Sequence, residues 1–469
     1  MGVERLSRRV GSAPARGGPA GVRRHDTPGA PLRNVKRQRP AGAPAPRGFD
    51  TAAGIHYIGP MEKRADVLVV GGGPAGIFAA VTAASSGGRG RRVVLVERNH
   101  MLGRKLGKTG NGRCNITNRR VSIERYHGSD TRFLHNVLPR FTSGDLLAWF
   151  GGRGVEFKEE DGGRVFPVTD QASTIVDVLK EEAACRGVEV LTGLRVEGAA
   201  RGNGGGFAVR SSGGGALRSR VLVIAAGGPA HPQLGASEDG YALARAFGHT
   251  VVPPAPALAA LETAEKSLFD LQGVKARADV KAVRGGKTVA SSTDEILFTH
   301  YGVSGPAVLH ASSYVARWLP GRGIALRINF FPGLSRGEAE EKIISLWRNN
   351  PKRPLGNSLM GILPKKLPQV LFRNLLRLDA ETPSGRVGRG DRSRVVDVLT
   401  GLEIEITAAR GFREAQVASG GVGTAEVEGR TMGSKLVDGL HFAGEVLDIN
   451  GDCGGFNLHF AFASGYLAG

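Results

Sequence analysis

The sequence predicts an α/β fold with a parallel sheet at its centre, and three stretches predict it. Val67 to Val70 is a short unbroken apolar run, the pattern of a strand buried on both faces. Gly71-Gly72-Gly73-Pro74-Ala75-Gly76 follows, and the small apolar residues from Ile77 to Ala84 read as a helix. Arg92 to Glu97 is then a second strand ending on an acid, while Val221 to Gly228 is a further buried strand that ends in glycines.

Gly71, Gly73 and Gly76 stand in the spacing G-x-G-x-x-G, and each has a physical reason. Gly71 lets the strand turn sharply, Gly73 lets a pyrophosphate approach the backbone, and Gly76 lets the helix pack close on the sheet. The helix start adds free N–H groups and the positive end of a dipole. Glu97 lies 21 residues beyond Gly76, where a carboxylate accepts from adenosine ribose hydroxyls. Strand, glycines, helix, strand and acid in this order make a dinucleotide site.

The chain has 469 residues, a length that suits about three domains. Its net charge is +20, and residues 1–64 hold 13 Lys/Arg against four Asp/Glu, which leaves +11 on the other 405 residues. An excess spread that thinly fits a solvated surface or an anionic ligand. Aromatics make up only 6% and do not interleave with the cations, so no nucleic-acid partner is expected. No run of 18 apolar residues predicts a membrane span. Cys114, Cys185 and Cys453 form no C-x-x-C, which fits a reducing, cytoplasmic setting and neither a zinc site nor a redox pair.

Residues 1–64 read as a basic extension, rich in Pro, Gly, Ala and Arg and without periodicity up to residue 60. Organelle import is one reading, although the segment lacks an amphipathic face; a start at Met61 is the other, and the one preferred. Residues 65–257 are the first part of the nucleotide-binding domain. Within them Leu102 to Asn118 is a glycine- and cation-rich loop, neither helix nor strand, and Phe133 to Gly152 reads as one helix. Val155 to Lys158 with Arg164 to Val168, and Phe207 to Arg210 with Arg218 to Val221, read as hairpins, and Ala172 to Cys185 as an amphipathic helix. Pro253-Pro-Ala-Pro256 marks a boundary.

Residues 258–413 change texture: alternating β segments to about residue 330, then a leucine-spaced helical stretch over 337–377. They read as an inserted domain. Residues 414–469 return to the first texture, with Leu436 to Glu445 as a strand, a glycine loop from Gly451 to Gly455, and a helix opening at Phe456. A second helix start facing the same ligand closes the site, as a flavin needs and a simple NAD site does not.

With these motifs in view, the chain from about residue 65 onward resembles the BaiN-like family of FAD-dependent oxidoreductases, also called the YhiN or aminoacetone-oxidase type. The motifs that carry the resemblance are Val69-Val-Gly-Gly-Gly-Pro-Ala-Gly76, Gly103-Arg-Lys-Leu106 with Thr109-Gly-Asn-Gly-Arg-Cys-Asn-Ile-Thr-Asn118, Gly163-Arg-Val-Phe-Pro-Val168, Thr299-His-Tyr-Gly-Val-Ser-Gly-Pro306, and Ala443-Gly-Glu-Val-Leu-Asp448 with Gly454-Gly-Phe-Asn-Leu458. The resemblance implies a glutathione-reductase-like Rossmann FAD domain interrupted by a β-rich and helical insert. It also implies a set of FAD contacts. Gly71, Gly73, Pro74, Ala75 and Gly76 would hold the pyrophosphate, Glu97 and its neighbour Arg98 the ribose, and Val196 the adenine through its backbone. Arg104, Lys105, Arg113, Cys114 and Asn115 would line the flavin side. Gly444, Glu445, Asp448, Gly454, Gly455, Phe456, Asn457 and Leu458 would hold the ribityl chain and the pyrimidine edge. Phe456 and His459 stand where the family more often has Tyr and Gln, and the final helix is expected to run on past Gly469.

The flavin carries the electrons in such a protein, and the chain orients the substrate. His300, in its glycine-flanked loop, is the candidate for moving a proton, with a structural cap as the competing role. Cys114 reads better as a small buried residue than as a flavin-adjacent thiol, and Cys453 and Asn115 are lesser candidates. Three functions follow: an FAD oxidoreductase of a small molecule, an RNA-modifying flavoenzyme, and a non-catalytic FAD-binding regulator. The first divides into NAD(P)H-linked reduction of an activated double bond, the favoured reading, and O₂-dependent oxidation of an amine. No second complete G-x-G-x-x-G is present, so NAD(P)H would bind only transiently. Oligomeric state is not legible.

Overall fold

The strand Glu62–Val70 pairs in parallel with Val93–Val96 on one side and with Ala216–Ile224 on the other, placing Val67 level with Val93 and Val221. This is a computed structural model, and it describes residues 62–469 apart from Gly87, Arg89, Asn203, Pro320 and Arg322. Of the basic extension read over residues 1–64, residues 1–61 lie outside the described residues, as do the start at Met61 and part of the Gly87–Gly90 turn, whereas residues 62–64 belong to the strand Glu62–Val70. Glu189–Leu191 extends the sheet beyond Val93–Val96. Ala216–Ile224 is shared: its first half pairs with the antiparallel strand Phe207–Ser211, and its second half with the parallel strand Leu440–Phe442. The sheet is therefore closed by residues from the far end of the chain. The uninterrupted valines and leucines of the inner strands are buried on both faces because helices cover them.

The first helix, Pro74–Ser86, and the last, Phe456–Ala468, pack against each other. A Cβ on Gly465 would stand 2.4 Å from the Ala75 carbonyl, so a glycine there sets the helix separation. Phe78 fills the rest of the contact, edge-on to Phe462 at 5.3 Å and to Trp149 at 4.7 Å.

Between the two parts stands a second hydrophobic cluster, from Leu261 to Ile406. Its centre is a closed antiparallel barrel in the order Leu261–Thr263, Gly302–Ser304, Lys287–Phe298, Lys275–Arg284, Ile324–Asn329 and Leu402–Ala409. Closure removes the sheet edges that the six strands would otherwise expose. The helix Pro306–Val315 leaves this barrel and becomes part of the site.

Five readings need correction. The stretch read as a boundary, Pro253 to Pro256, is itself part of the strand Val251–Ala257, which pairs with Val417–Val422 through a register shift between Val252 and Ala255 that accommodates the prolines. Phe133 to Gly152 is not one helix: Leu134–Val137 and Ser143–Gly151 are separated at Phe141 and Thr142, where Thr142 and Asp145 form a reciprocal cap. Leu102 to Asn118 is not featureless. Leu106–Gly112 is a pair of tight turns joined through Gly110 and Asn111, both at φ 57°, and Thr117–Asn118 pairs with Arg164 and Val165. The strand read over 436–445 is short, Leu440–Phe442, and a turn at Gly444–Val446 follows it. The helical stretch over 337–377 is divided into Arg336–Asn349 and Lys366–Val370, the latter widening into a π turn to Leu375. Among the described residues no helix is long and apolar enough to cross a membrane.

Candidate active site

The C-terminal edge of the parallel sheet gathers the predicted motifs. A Cβ on Gly76 would lie 1.8 Å from the Gly71 carbonyl oxygen, and one on Gly71, whose φ is +113°, would lie 2.3 Å from the Ala225 oxygen. A Cβ on Gly73 would meet nothing within 4 Å. Two of the three glycines thus serve packing, and the third leaves space over the first turn of the helix. Glu97, buried, accepts from Gly72 N at 2.6 Å and from the backbone and side-chain nitrogens of Asn99 at 2.7 Å each. Both Asn99 nitrogens bond Oε1, so Oε2, which accepts only from Gly72, keeps a lone pair for a hydroxyl. Arg104 donates to Asn99 Oδ1 at 3.1 Å, and Arg98 to Asp239 at 3.2 Å. Arg195 grips the same Asp239, and Val196 lines a cavity with both.

Lys105 reaches across 340 residues of sequence to Glu445, Nζ to Oε2 at 2.7 Å, while the other Glu445 oxygen accepts from Ala418 N at 3.0 Å. Gly444, at φ +76°, donates to Ser464 Oγ at 2.9 Å. Gly455, at φ +98°, caps the last helix; a Cβ there would stand 2.4 Å from Thr117 O and 2.8 Å from Asn115 Oδ1. Asn457 clasps the glycine loop by bonding both the N–H and the carbonyl of Gly451, at 2.8 and 2.7 Å. Phe456 packs against Tyr126, whose hydroxyl donates to the Phe456 carbonyl at 3.1 Å, and Leu458 is half-buried in the main core.

Other predicted residues turn elsewhere. Arg113 pairs with Glu160 and Asp170 and lies 4.2 Å over the Phe166 ring. Asp448, fully buried, accepts from Ser129 N at 2.9 Å and pairs with Arg317 of the insert. His300 is exposed, edge-on to Tyr301 at 4.9 Å, and bonds to none of the residues above. Cys114 is wholly buried and burial pushes its thiol up to about 12, so it is a neutral packing group. A thiol reagent at neutral pH is expected to modify exposed Cys185 and to leave Cys114 unmodified until denaturant is added; prompt labelling of Cys114, read by peptide mass, would contradict this packing.

The arrangement fits a dinucleotide with a polar, hydroxyl-rich middle. Asn450 has both side-chain amide atoms buried without a partner, and the buried Tyr241 hydroxyl, also unpartnered, stands beside Gly228 and Glu445. Native structures leave few such groups unpaired. Here they flank the stretch that joins the two glycine loops.

Sequence reasoning missed a cluster at the entrance of the last helix. Asp452, 3% exposed, holds His127 Nε2 at 2.7 Å on Oδ1, and His310 Nδ1 stands 3.2 Å from the same oxygen. Arg125 Nη1 lies 3.4 Å from the second oxygen. The Tyr314 ring packs between the imidazoles, 4.3 Å from His127 and 5.1 Å from His310. Burial pushes the Asp452 carboxyl up, but the hydrogen bonds and charges of the two histidines outweigh it and hold it well below the usual carboxylate range. Burial pushes the Tyr314 phenol up to about 12, with the Asp452 charge adding to it. The sequence signal was slight: His310 and Tyr314 are four apart in a helix, hence on one face, but their partners are 125 or more positions away.

Residues 65–469 match the family model described as HI0933-like protein Rossmann domain. The chain is 36% identical over 403 residues to the 3-dehydro-bile acid delta(4,6)-reductase of Clostridium scindens, covering 86% of this chain and 97% of that protein. It is 34% identical over 405 residues to the ribosomal RNA dihydrouridine synthase of Escherichia coli, covering 86% and 97%. It is 30% identical over 413 residues to the ribosomal RNA dihydrouridine synthase of Haemophilus influenzae, covering 87% and 98%.

Proposed function

The chain belongs to the HI0933-like family and is an FAD-dependent oxidoreductase, and we propose that it reduces a carbon–carbon double bond conjugated to a carbonyl, in a small organic substrate, with NAD(P)H as electron donor. One observation carries this reading: the relatives' two activities share one bond type. A delta-4 double bond beside a 3-oxo group and the C5=C6 bond of uridine are both polarised by a neighbouring carbonyl. A hydride adds to the far carbon of such a bond and a proton to the near one.

Bound FAD supplies the hydride chemistry. The chain's part is to hold it and to place the substrate. Gly73 and the first turn of the helix Pro74–Ser86 would take the pyrophosphate, and Glu97 the ribose. Lys105 and Glu445 would border the ribityl chain, and Asn115 with Gly454, Gly455, Phe456 and Asn457 the flavin edge. Without a second nucleotide-binding glycine turn, NAD(P)H would dock only to deliver its electrons and leave.

Purified protein is expected to carry the visible absorbance of oxidised flavin, to lose it anaerobically on addition of NADH or NADPH, and to regain it when a conjugated enone is added. Bleaching by an amine instead of a nicotinamide would replace this reading with an oxidase. A colourless protein that FAD cannot reconstitute would remove it altogether.

A second reading, reduction of a uridine in ribosomal RNA, is favoured by two of the relatives and by the +11 charge of residues 65–469. It predicts that RNA, and not a free enone, restores the absorbance, with a rate that falls steeply with salt.

A further inference from the structure

Conjugate reduction needs a proton at the carbon beside the carbonyl, delivered where the hydride arrives. Resting on the reading above, we propose that His127 and His310, joined through Asp452, form the proton-delivering group, with Asp452 as the positioning residue that holds the charge of whichever imidazole is protonated.

The cluster lies in the same five-residue loop, Gly451 to Gly455, that turns into the last helix, so Asp452 is two residues from Gly454 and four from Phe456. It joins two parts of the fold. His127 comes from the short strand Tyr126–His127, fixed opposite Asn450 and Gly451. His310 and Tyr314 come from the insert helix Pro306–Val315. The histidine side chains are 16% and 14% exposed, so each keeps an edge open while the carboxylate between them is closed off.

Each imidazole turns one nitrogen to the Asp452 carboxylate. The other two nitrogens, His127 Nδ1 and His310 Nε2, make no hydrogen bond to a described residue and, on part-exposed rings, are left to water or a substrate. Tyr314 at neutral pH keeps its proton and is a hydrogen-bond donor rather than a charge. Arg125 is the other charged group facing Asp452, and Tyr126 feels its field from the core side.

In the reaction the substrate π bond breaks and two C–H bonds form. FAD, when bound and reduced, would supply the hydride to the far carbon, and the chain's part is the imidazolium proton that the near carbon takes. The substrate gains two electrons, the nicotinamide has lost two, and water restores the proton to the imidazole.

Two measurements test this on the full chain. The first needs no turnover: the imidazole ¹⁵N resonances of His127 and His310 are compared at one fixed pH in wild type and in Asp452→Asn. Both rings are expected to change, because both lose the carboxylate oxygen they share; unchanged resonances in both would overturn the proposal. The second splits the reaction in holoenzyme. His310→Gln and Asp452→Asn are expected to bleach with nicotinamide at wild-type rates and to be reoxidised by an enone about 10²-fold more slowly or worse, while ferricyanide, which needs no proton at carbon, reoxidises them normally. Wild-type enone rates in both variants would overturn it. If the wild-type flavin bleaches but no enone reoxidises it, the substrate reading fails instead, and the imidazole resonances still decide whether Asp452 couples the two histidines.

Discussion

Gly76→Ala yields a protein that holds no flavin and unfolds at markedly lower denaturant. The added Cβ would stand 1.8 Å from the Gly71 carbonyl oxygen, and the obstacle is backbone of the turn directly after the strand Glu62–Val70, so no side chain can swing aside. Alanine's better helix propensity returns only about 1 kcal/mol. Overpacking at a site this rigid costs at least about 3 kcal/mol, the upper part of its usual range. The informative partner is Gly73→Ala, whose Cβ meets nothing within 4 Å. It is expected to fold with wild-type stability and yet to lose most of its flavin, because the methyl occupies the approach to the helix start. Denaturation curves and flavin content on the two variants separate the glycine that packs from the glycine that binds. Full flavin content in Gly73→Ala would mean that the pyrophosphate does not lie over that position.

That contrast shows what was legible in the sequence. The spacing of Gly71, Gly73 and Gly76 carries the local geometry because strand, turn and helix are contiguous, and the run Val67–Val70 shows its double burial by composition alone. The return of the chain at Gly444–Glu445 and Gly454–Phe456 was legible for the same reason, as glycine turns next to apolar runs. Pro253–Pro256 was misread because local propensity opposes a strand there, and only the partner Val417–Val422 makes one. The Asp452 cluster was illegible on different grounds. His127 and His310 sit singly among unremarkable neighbours, Asp452 is hidden within a glycine loop read for its glycines, and the fold alone brings the three together. His300, conspicuous between Thr299 and Tyr301, drew the reading because its motif is compact in sequence, and the structure leaves it exposed on a barrel turn.

Arg317→Ala carries the second large effect. Asp448 has no exposed surface, and its carboxylate is held by Arg317 and by the Ser129 N–H at 2.9 Å. Arg317 is tied in turn to Ser419 Oγ at 2.7 Å, so one guanidinium fastens the residues around the helix Pro306–Val315 to the strand Val417–Val422 and to the stretch that leads into the Gly451–Gly455 loop. Removing it leaves a buried charge with one backbone donor. The cost expected is about 3 kcal/mol, the low end for a broken buried pair, since that donor survives. Because the penalty is the orphaned charge rather than the lost attraction, Arg317→Ala with Asp448→Asn should recover much of it, and a double-mutant cycle on the flavin-free protein measures the coupling. Arg317→Lys should recover less, because one ammonium cannot reproduce the fork that reaches both Ser419 and Asp448. The arginine follows directly on the helix carrying His310 and Tyr314, so the single change is also expected to loosen the imidazole pair. A stability loss below about 1 kcal/mol, the worth of an exposed pair, would show that water reaches Asp448 in solution and that this ion pair does not anchor the insert.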